Sequence, residues 1–337
     1  MQQSTKTRKV VSSIVFLSSL LLFTACVTSA RSHRRVSEIR INDDFIIVTA
    51  TVKDTLPSLA AEYLNDPSKA WLISEFNHIK TPTPGQELII PLFYFNKGGL
   101  KRGGYQTVPV LSYYRLSKNK PSKIAITQDD FKAQMKYLKE NGYHVITLDQ
   151  LLDFFDYQEQ IPEKSVAITF DDGWISVYDT AFPILKKYGF PATIFIYTDF
   201  VGGGKAMSWK QIKELSEAGF DIQCQTKTHR NLAVLKKKES FKEYFNSLEM
   251  EISYPKKLIE KKLNKECNCL AYPYGKTNNF VIAMLKKHGY RAAFTVENKS
   301  NPFFIDKYKI NRSAIYGKYD IEKFKNKLSV FQDMELK

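Results

Sequence analysis

The segment that most constrains the fold of this chain is an apolar run that ends in two adjacent carboxylates. Residues 165–170 read Ser-Val-Ala-Ile-Thr-Phe, and Asp171, Asp172 and Gly173 follow them directly. Such a run is typical of a strand buried on both faces of a parallel sheet, and the glycine allows a sharp turn after it. Two adjacent negative charges cost free energy unless a cation or a proton lies between them. An isolated Asp-Asp-Gly turn on the surface is nevertheless common, so this segment alone favours a solvated turn over a site.

The chain on both sides of this segment alternates short apolar strands with amphipathic helices. Strands are predicted over 108–113, 144–148, 192–197, 220–224, 269–272, 291–296 and 308–311, and helices over 128–141, 148–155, 177–188, 208–218, 237–263 and 279–288. Repeated β–α units favour a parallel barrel or an open parallel sheet. The predicted fold class is therefore α/β.

Polar clusters follow three of the predicted strands at their carboxyl ends. The first is the Asp171–Asp172 pair, the second is Gln-Thr-Lys-Thr-His over residues 225–229, and the third is Tyr-Pro-Tyr-Gly over residues 272–275. Active sites of β/α barrels are built on the face where the strands end. One such cluster would be weak evidence, but three on the same face predict a functional site.

Residues 107 to about 320 resemble the polysaccharide deacetylase domain of carbohydrate esterase family 4, within a predicted domain of residues 107–337. The most specific match is Thr-Phe-Asp-Asp-Gly over residues 169–173, supported by residues 108–114, 188–195 and 289–294. The resemblance implies a deformed (β/α) barrel that removes N-acetyl groups from amino-sugar polymers. It also implies a divalent metal, with Zn²⁺ expected first and Co²⁺ or Mn²⁺ as alternatives.

The resemblance also implies roles for individual residues of the three clusters. Asp171 matches the general base, and the backbone N–H of Tyr274 matches the group that stabilises the oxyanion. Asp172 and His229 match metal ligands, whereas Gln225 stands where the family has a second histidine. A glutamine can offer only a neutral carbonyl oxygen, so the expected site binds metal weakly, binds a different metal, or is inactive.

Other residues are expected to contact the polymer, and some family residues are missing. Pro273, Tyr272 and Trp174 are the predicted substrate contacts. Ala271 takes the place of an arginine that braces the base in many members, and Tyr114 replaces a histidine of the first strand. No histidine near the end of the chain matches the late general acid of the family.

Three functions remain open from these residues. The first is an active deacetylase, in which a bound Zn²⁺ would lower the pKa of its water from 15.7 to about 7. The second is a catalytically degenerate domain that only binds glycan. The third, an inverting glycosidase, is the poorest, because the two carboxylates of a glycosidase must flank the bond from separated positions, and Asp171 and Asp172 are adjacent.

The start of the chain has the features of an export signal. Basic residues precede an apolar run over residues 10–23 that is too short to span a membrane comfortably. The run ends in Leu-Phe-Thr-Ala-Cys, which resembles a bacterial lipoprotein signal over residues 1–26. We therefore expect a lipid on Cys26 to anchor an exported protein to a membrane of the cell envelope, with residues 27–44 as a tether. Secretory cleavage after Ala30 is the alternative.

Residues 45–92 are predicted to form a small unit with a strand, two helices and a closing strand. This order, together with Val-Lys-Asp-Thr-Leu over residues 52–56, Asn77 and residues 84–91, resembles a lysin-motif (LysM) domain. Lys53 departs from the glycine that is usual there. The resemblance implies binding of N-acetylglucosamine-containing glycans such as peptidoglycan or chitin, and a structural cap is the alternative. The glycine-rich residues 93–106 are expected to be a flexible link.

Charge and cysteine content limit the remaining partners. The chain of 337 residues has 50 Lys and Arg against 35 Asp and Glu, a formal net charge of +15. No basic stripe interleaved with aromatic residues is visible, which argues against nucleic acid, and a monomer is expected. Cys224, Cys267 and Cys269 are an odd number in an oxidising compartment, so a disulfide from Cys224 to one of the other two is expected, with one free thiol.

Overall fold

The structure, a computed structural model, describes residues 39–40, 43–118 and 120–334. The predicted signal segment with Cys26 and most of the predicted tether lie outside these residues, so the lipid anchor stays a prediction. No helix within the described residues is long and apolar enough to cross a membrane.

The first part of the described chain is a small unit of two helices on an antiparallel sheet. Its elements are β1 (Ile39–Arg40), β2 (Phe45–Thr49), α1 (Leu56–Leu64), α2 (Ala70–Asn77) and β3 (Glu87–Pro91). Strand β2 pairs with β1 on one side and with β3 on the other. The order of strand, two helices and closing strand over residues 45–92 is the order that the sequence predicts. Membership of this unit in the lysin-motif family stays a prediction.

Local signals explain why this small unit forms. Thr55 and Ser58 make a reciprocal capping box at the start of α1. The side chain of Asn77 at the end of α2 bonds both the N–H and the carbonyl of Ile89 in β3, at 2.9 and 2.7 Å. A separate apolar core around Leu59 lies between the helices and the sheet.

The remaining described chain forms a curled parallel sheet with its helices and two small side sheets. In chain order the elements are β4 (Leu100–Lys101), β5 (Gly104–Gln106), β6 (Val110–Tyr113), β7 (Arg115–Ser117), β8 (Ala125–Thr127), α3 (Gln128–Glu140), β9 (His144–Ile146), α4 (Leu148–Phe155), β10 (Ser165–Phe170), a π-helical segment (Val177–Ala181), α5 (Phe182–Tyr188), β11 (Thr193–Ile196), α6 (Trp209–Glu217), β12 (Asp221–Cys224), α7 (Phe241–Leu263), β13 (Cys269–Ala271), a 3₁₀ turn (Pro273–Gly275), α8 (Asn279–Lys287), β14 (Ala292–Phe294), β15 (Ser313–Ala314), α9 (Ile321–Lys325) and β16 (Phe331–Asp333).

The main sheet is parallel throughout and open. Its order is β14-β13-β12-β11-β10-β6-β15, and β9 pairs with the first half of β10. Among the described residues no ladder joins the edge strands β14 and β15, so the predicted barrel is corrected to a curled half-barrel. The strand predicted over 308–311 makes only a single bridge, from Ile310 to Phe294. Asp306 accepts hydrogen bonds from the N–H groups of Tyr308 and Lys309, which holds this segment in a turn instead.

Strand β10 is buried at every position, as its sequence predicts. Val166, Ile168 and Phe170 pack in the core shared with most of the helices, whereas Ala167 packs in a second core that contains α4. Because successive side chains of a strand point to opposite faces, both faces of β10 must be apolar.

The predicted flexible link between the small unit and the sheet is ordered in the structure. Strands β4 and β5 form a hairpin, and β5 pairs with β16 near the end of the chain. Gly99 and Gly103 have φ values of +59° and +87°, so the glycines shape turns of this hairpin rather than a loose link.

The small unit contacts the edge of the sheet at which the strands begin, called here the amino edge. The backbone N–H of Glu163, two residues before β10, donates to the Glu75 carboxylate of α2 at 2.8 Å. Just after the small unit, the Tyr94 hydroxyl donates to Glu159 at 2.7 Å, and the N–H of Asn96 donates to the Gln160 side chain at 2.9 Å. Burial raises the pKa of Glu75 to about 7.

The three cysteines of the described chain are buried and free. Cys224 ends β12, while Cys267 and Cys269 lie before and at the start of β13. The expected disulfide from Cys224 is therefore not present in this structure.

Candidate active site

Asp171 lies directly after β10 and is 1% exposed. The fully buried guanidinium of Arg312 donates to both of its oxygens, from Nη1 to Oδ1 at 2.6 Å and from Nη2 to Oδ2 at 3.0 Å. The hydroxyl of Ser112, on neighbouring strand β6, donates to Oδ2 at 3.1 Å. A bidentate pair of this kind fixes the plane of the carboxylate and compensates the burial of its charge.

Arg312 is the residue of the site that the sequence reasoning missed. It precedes β15 and is also anchored by Nε to the carbonyl of Thr295 at 3.1 Å. It supplies from another strand the brace that Ala271 cannot provide. The signal was present in the sequence: a lone arginine in Ile-Asn-Arg-Ser-Ala-Ile over residues 310–315 is a charge in an apolar segment, and a buried charge requires a partner.

Asp172 is the neighbour of Asp171 but has a different environment. Its Oδ2 accepts a hydrogen bond from Trp174 Nε1 at 3.0 Å. Its Oδ1 is buried, has no hydrogen-bond partner and lies 3.5 Å from His229 Nε2. Burial raises the pKa of Asp172, and the negative charge of Asp171 raises it further. One carboxylate oxygen of Asp172 therefore has no hydrogen bond to offset its burial, and it faces the imidazole of His229.

Gln225 contacts both other predicted ligands, but its oxygen is engaged elsewhere. Its Oε1 accepts from the backbone N–H of Asp172 at 2.7 Å, and its Nε2 lies 3.3 Å from His229 Nε2. A backbone N–H can only donate, so the atom that faces it must be the amide oxygen. The amide NH₂ therefore faces His229, and in this arrangement Gln225 orients the other two residues instead of adding an oxygen ligand.

Two of the three predicted ligands fit a divalent metal. Two atoms that each lie 2.0–2.2 Å from a tetrahedral zinc are about 3.4 Å apart, and Asp172 Oδ1 and His229 Nε2 are 3.5 Å apart. The unpartnered oxygen of Asp172 is the observation that favours a cation there. Within the described residues no group of three His, Cys, Asp or Glu could hold a metal, so a metal bound here would have only this pair as His or Asp ligands.

The loop between Gln225 and His229 is fixed by a buried carboxylate on α7. Glu251 accepts from the N–H groups of Lys227 and Thr228 at 3.0 and 2.8 Å, and from the Thr228 hydroxyl at 2.6 Å. Glu251 is 4% exposed, so the loop is held by three hydrogen bonds in a dry environment. This brace explains how a loop can position His229.

The predicted oxyanion donor and the predicted substrate contacts differ in their exposure. Tyr274, the predicted oxyanion donor, is 65% exposed, and its ring lies 4.9 Å from that of His229, so its side chain lines the mouth of the site. Trp174 is half-buried against Phe200 and bonds Asp172. Tyr272 is 1% exposed and its hydroxyl donates to the carbonyl of Tyr308, and Pro273 is buried, so neither side chain is placed to contact a polymer.

Backbone strain is concentrated in the same place. Asp172, Thr226, His229 and Tyr274 have φ values of 75°, 78°, 62° and 59°. Residues other than glycine rarely adopt this region, and a β-branched residue such as Thr226 is a clear outlier. Each costs about 1–3 kcal/mol and persists only where the surroundings impose it.

The fold and this site define the class of protein. The Streptococcus pyogenes deacetylase PplD, solved in complex with acetate, superposes with a TM-score of 0.61 over 67% of this chain and 99% of that chain, at 24% sequence identity. The fold is therefore the curled α/β half-barrel of polysaccharide deacetylases.

Sequence comparison places the chain within a family. The profile of the family described as polysaccharide deacetylase matches residues 158–293. The poly-beta-1,6-N-acetyl-D-glucosamine N-deacetylase of Staphylococcus aureus (strain MRSA252) is 30% identical over 213 residues, which are 60% of this chain and 73% of that protein. The YxkH protein of Bacillus subtilis (strain 168) is 30% identical over 190 residues, which are 56% of this chain and 64% of that protein. The chain belongs to the polysaccharide deacetylase family, and the prediction of a hydrolase of this family is confirmed.

Proposed function

We propose that this protein removes N-acetyl groups from an N-acetylglucosamine-containing polysaccharide of the cell envelope or outside the cell, in a reaction that depends on a divalent metal. The observation that carries the proposal is the contrast within one pair: Asp171 is braced by Arg312, and the unpartnered Oδ1 of Asp172 lies 3.5 Å from His229. The name of the Staphylococcus aureus relative supports a poly-N-acetylglucosamine substrate; peptidoglycan and chitin-like chains belong to the same class.

Each residue then has a defined task. A divalent metal held by Asp172 and His229 would act as a Lewis acid and lower the pKa of its bound water. Asp171 takes the proton of the attacking water on Oδ1, which keeps a lone pair beside the bond from Arg312 Nη1, whereas Oδ2 accepts from both Arg312 and Ser112. The backbone N–H of Tyr274 donates to the oxygen of the acetyl carbonyl as negative charge develops there.

The proton that Asp171 receives must then reach the leaving amine. The family's late histidine is absent from the sequence, so the protonated Asp171 is the donor that this site provides. Arg312 keeps the carboxyl group in one orientation during both transfers. The same residue therefore acts first as base and then as acid.

The small unit over residues 45–92 is proposed to bind the same class of glycan. A groove of about 420 Å³ lies beside it, lined by residues 54–57, by Trp71 and Glu75 of α2, and by residues 80–82. Ligand pockets combine aromatic and apolar walls with a few polar groups, and Trp71 beside Glu75 and Lys80 gives the groove this composition. In this proposal Cys26 carries the lipid, residues 27–44 are the tether, and the exported protein works as a monomer with no nucleic acid partner.

One observation favours the second candidate, a degenerate domain that binds glycan without reaction. The oxygen of Gln225 is turned to the backbone of Asp172, so only two protein ligands remain for the metal. Such a protein would bind polymer and release no acetate.

The test is acetate release from poly-N-acetylglucosamine, chitin oligomers and peptidoglycan, with the metal content measured on the same samples. We expect acetate release that needs metal, and Asp172→Ala should lose both metal and reaction. Asp179→Ala, which removes an exposed carboxylate from the π-helical segment, is the matched control and should change neither. Glycan binding without acetate would favour the degenerate domain, and acetate release without metal under all conditions would refute the mechanism.

A further inference from the structure

The groove beside the small unit is completed by the sheet domain. His144 lines it together with the residues of the small unit. His144 is the first residue of β9 and pairs with Ser165, the first residue of β10. The Glu75 carboxylate in the same groove accepts from Glu163, two residues before β10. The groove therefore lies at the amino edge of the sheet.

The candidate active site lies at the opposite edge, called here the carboxyl edge. Asp171 follows Phe170, the last residue of β10. Six residue steps separate Ser165 from Asp171, and a parallel strand rises about 3.3 Å per residue. The groove and the reacting carboxylate are thus about 20 Å apart through the sheet, with packed helices around it.

This separation is fixed by the way in which the two parts are joined. Glu75 of the small unit, and Tyr94 and Asn96 directly after it, bond the segment before β10 and hold the unit there. The chain that follows the small unit forms the β4–β5 hairpin, in which β5 pairs with β16. Because the connection is ordered, the small unit is not free to swing round to the carboxyl edge.

We propose that the protein holds one glycan chain in the groove at the amino edge while it deacetylates a different chain at the carboxyl edge. The proposal rests on the proposed function of both regions. A sugar chain that filled both places would have to pass around the whole depth of the sheet and its helices. The groove therefore raises the local concentration of neighbouring chains in a dense polymer, instead of feeding the bound stretch to the site.

The test uses the full chain bound to insoluble chitin beads and washed until the filtrate has no activity. A short soluble oligomer of N-acetylglucosamine with isotopically labelled acetyl groups is then added, and labelled acetate is measured. The bead-bound protein should deacetylate the added oligomer with kcat/KM within about twofold of that of the free protein. Its groove is occupied, but its carboxyl edge is open.

Each other outcome has a definite meaning. A loss of tenfold or more on bead-bound protein, with full activity of the free protein, would overturn the inference, because the held chain would then occupy the active site. Protein that is active in solution and never binds the beads would overturn it together with the glycan role of the small unit. Protein that binds the beads and releases no labelled acetate in either form would overturn it through the catalytic proposal.

Discussion

The amino edge and the carboxyl edge of the main sheet each have an ion pair, and the two pairs differ in their exposure to water. At the carboxyl edge, Asp171 and Arg312 are paired out of contact with water, with side chains 2% and 0% exposed. At the amino edge, the ion pair of Lys101 with Glu163 has side chains 40% and 50% exposed. The first pair fixes the orientation of a single carboxylate, whereas the second only holds β4 against the segment before β10. In this comparison, the ion pair is buried at the edge where the orientation of a carboxylate matters, and it is exposed at the other edge.

Removing one cation at each edge should separate these roles most strongly. Arg312→Met leaves the Asp171 carboxylate buried without a partner, which should lower the free energy of unfolding by about 3–5 kcal/mol and abolish acetate release. Lys101→Met breaks an exposed pair and should cost less than about 1 kcal/mol with activity on oligomers retained. Chemical denaturation and acetate assays measure both variants. Equal losses of stability would show that the two edges do not differ in this way.

A change of ligand at the carboxyl edge should have an intermediate effect. Gln225→His places an imidazole where the amide now faces His229, so a second nitrogen, and with it a third protein ligand, becomes available. Zn²⁺ affinity, measured by calorimetry, should rise by roughly tenfold to a hundredfold, and acetate release should rise with it. Gln158→His adds an imidazole on an exposed residue near the amino edge and should change neither. Unchanged affinity in Gln225→His would place the metal away from this cluster.

The smallest effect is expected from Glu75 at the amino edge. Its pKa of about 7 in the folded protein exceeds the ordinary value near 4.3, so the folded state holds a proton that the unfolded state has lost. Stability from this group therefore falls as the pH rises from about 4.5 to 7, and stays lower above pH 7. Glu75→Gln should remove this loss, which is on the order of 1 kcal/mol after allowance for solvent screening.

Thermal unfolding at pH 5 and pH 8 measures this difference. The gap between the two melting temperatures should narrow by a few degrees in Glu75→Gln. Glu140→Gln on α3, which changes an exposed carboxylate, should leave the gap as it is in the parent protein. A gap that is the same in all three proteins would show that Glu75 does not carry the pH dependence of the amino edge.

The sequence predicts those parts of the site that local patterns determine. A buried strand followed by Asp-Asp-Gly places Asp171 and Asp172, and the order of strands brings His229 beside them. Arg312 was missed because it lies 141 residues after Asp171 in the chain. The residues around Arg312 do not indicate which carboxylate it pairs with. Pairing across such distances is set by packing of the whole sheet rather than by neighbours in the chain.

The same cause explains the errors in the fold. Glycines in residues 93–106 indicate flexibility, but β5 pairs with a strand that begins at Phe331, and this partner is remote. Tyr272 and Tyr274 belong to the same motif at the mouth of the site. The side chain of Tyr272 is buried in the core, whereas that of Tyr274 is exposed. The boundary of one helix has a local cause instead: the helix predicted from residue 237 begins at Phe241, because Ser240 caps it through a reciprocal bond with Glu243.

The left-handed backbone at Asp172, Thr226, His229 and Tyr274 has a consequence for engineering. Glycine would relieve the strain at each of these positions, so a selection for thermal resistance alone would reward it there. Natural proteins commonly trade stability for activity in this manner. A screen for robust variants of this protein should therefore score activity in every round, because four of its left-handed positions lie in residues that build the site.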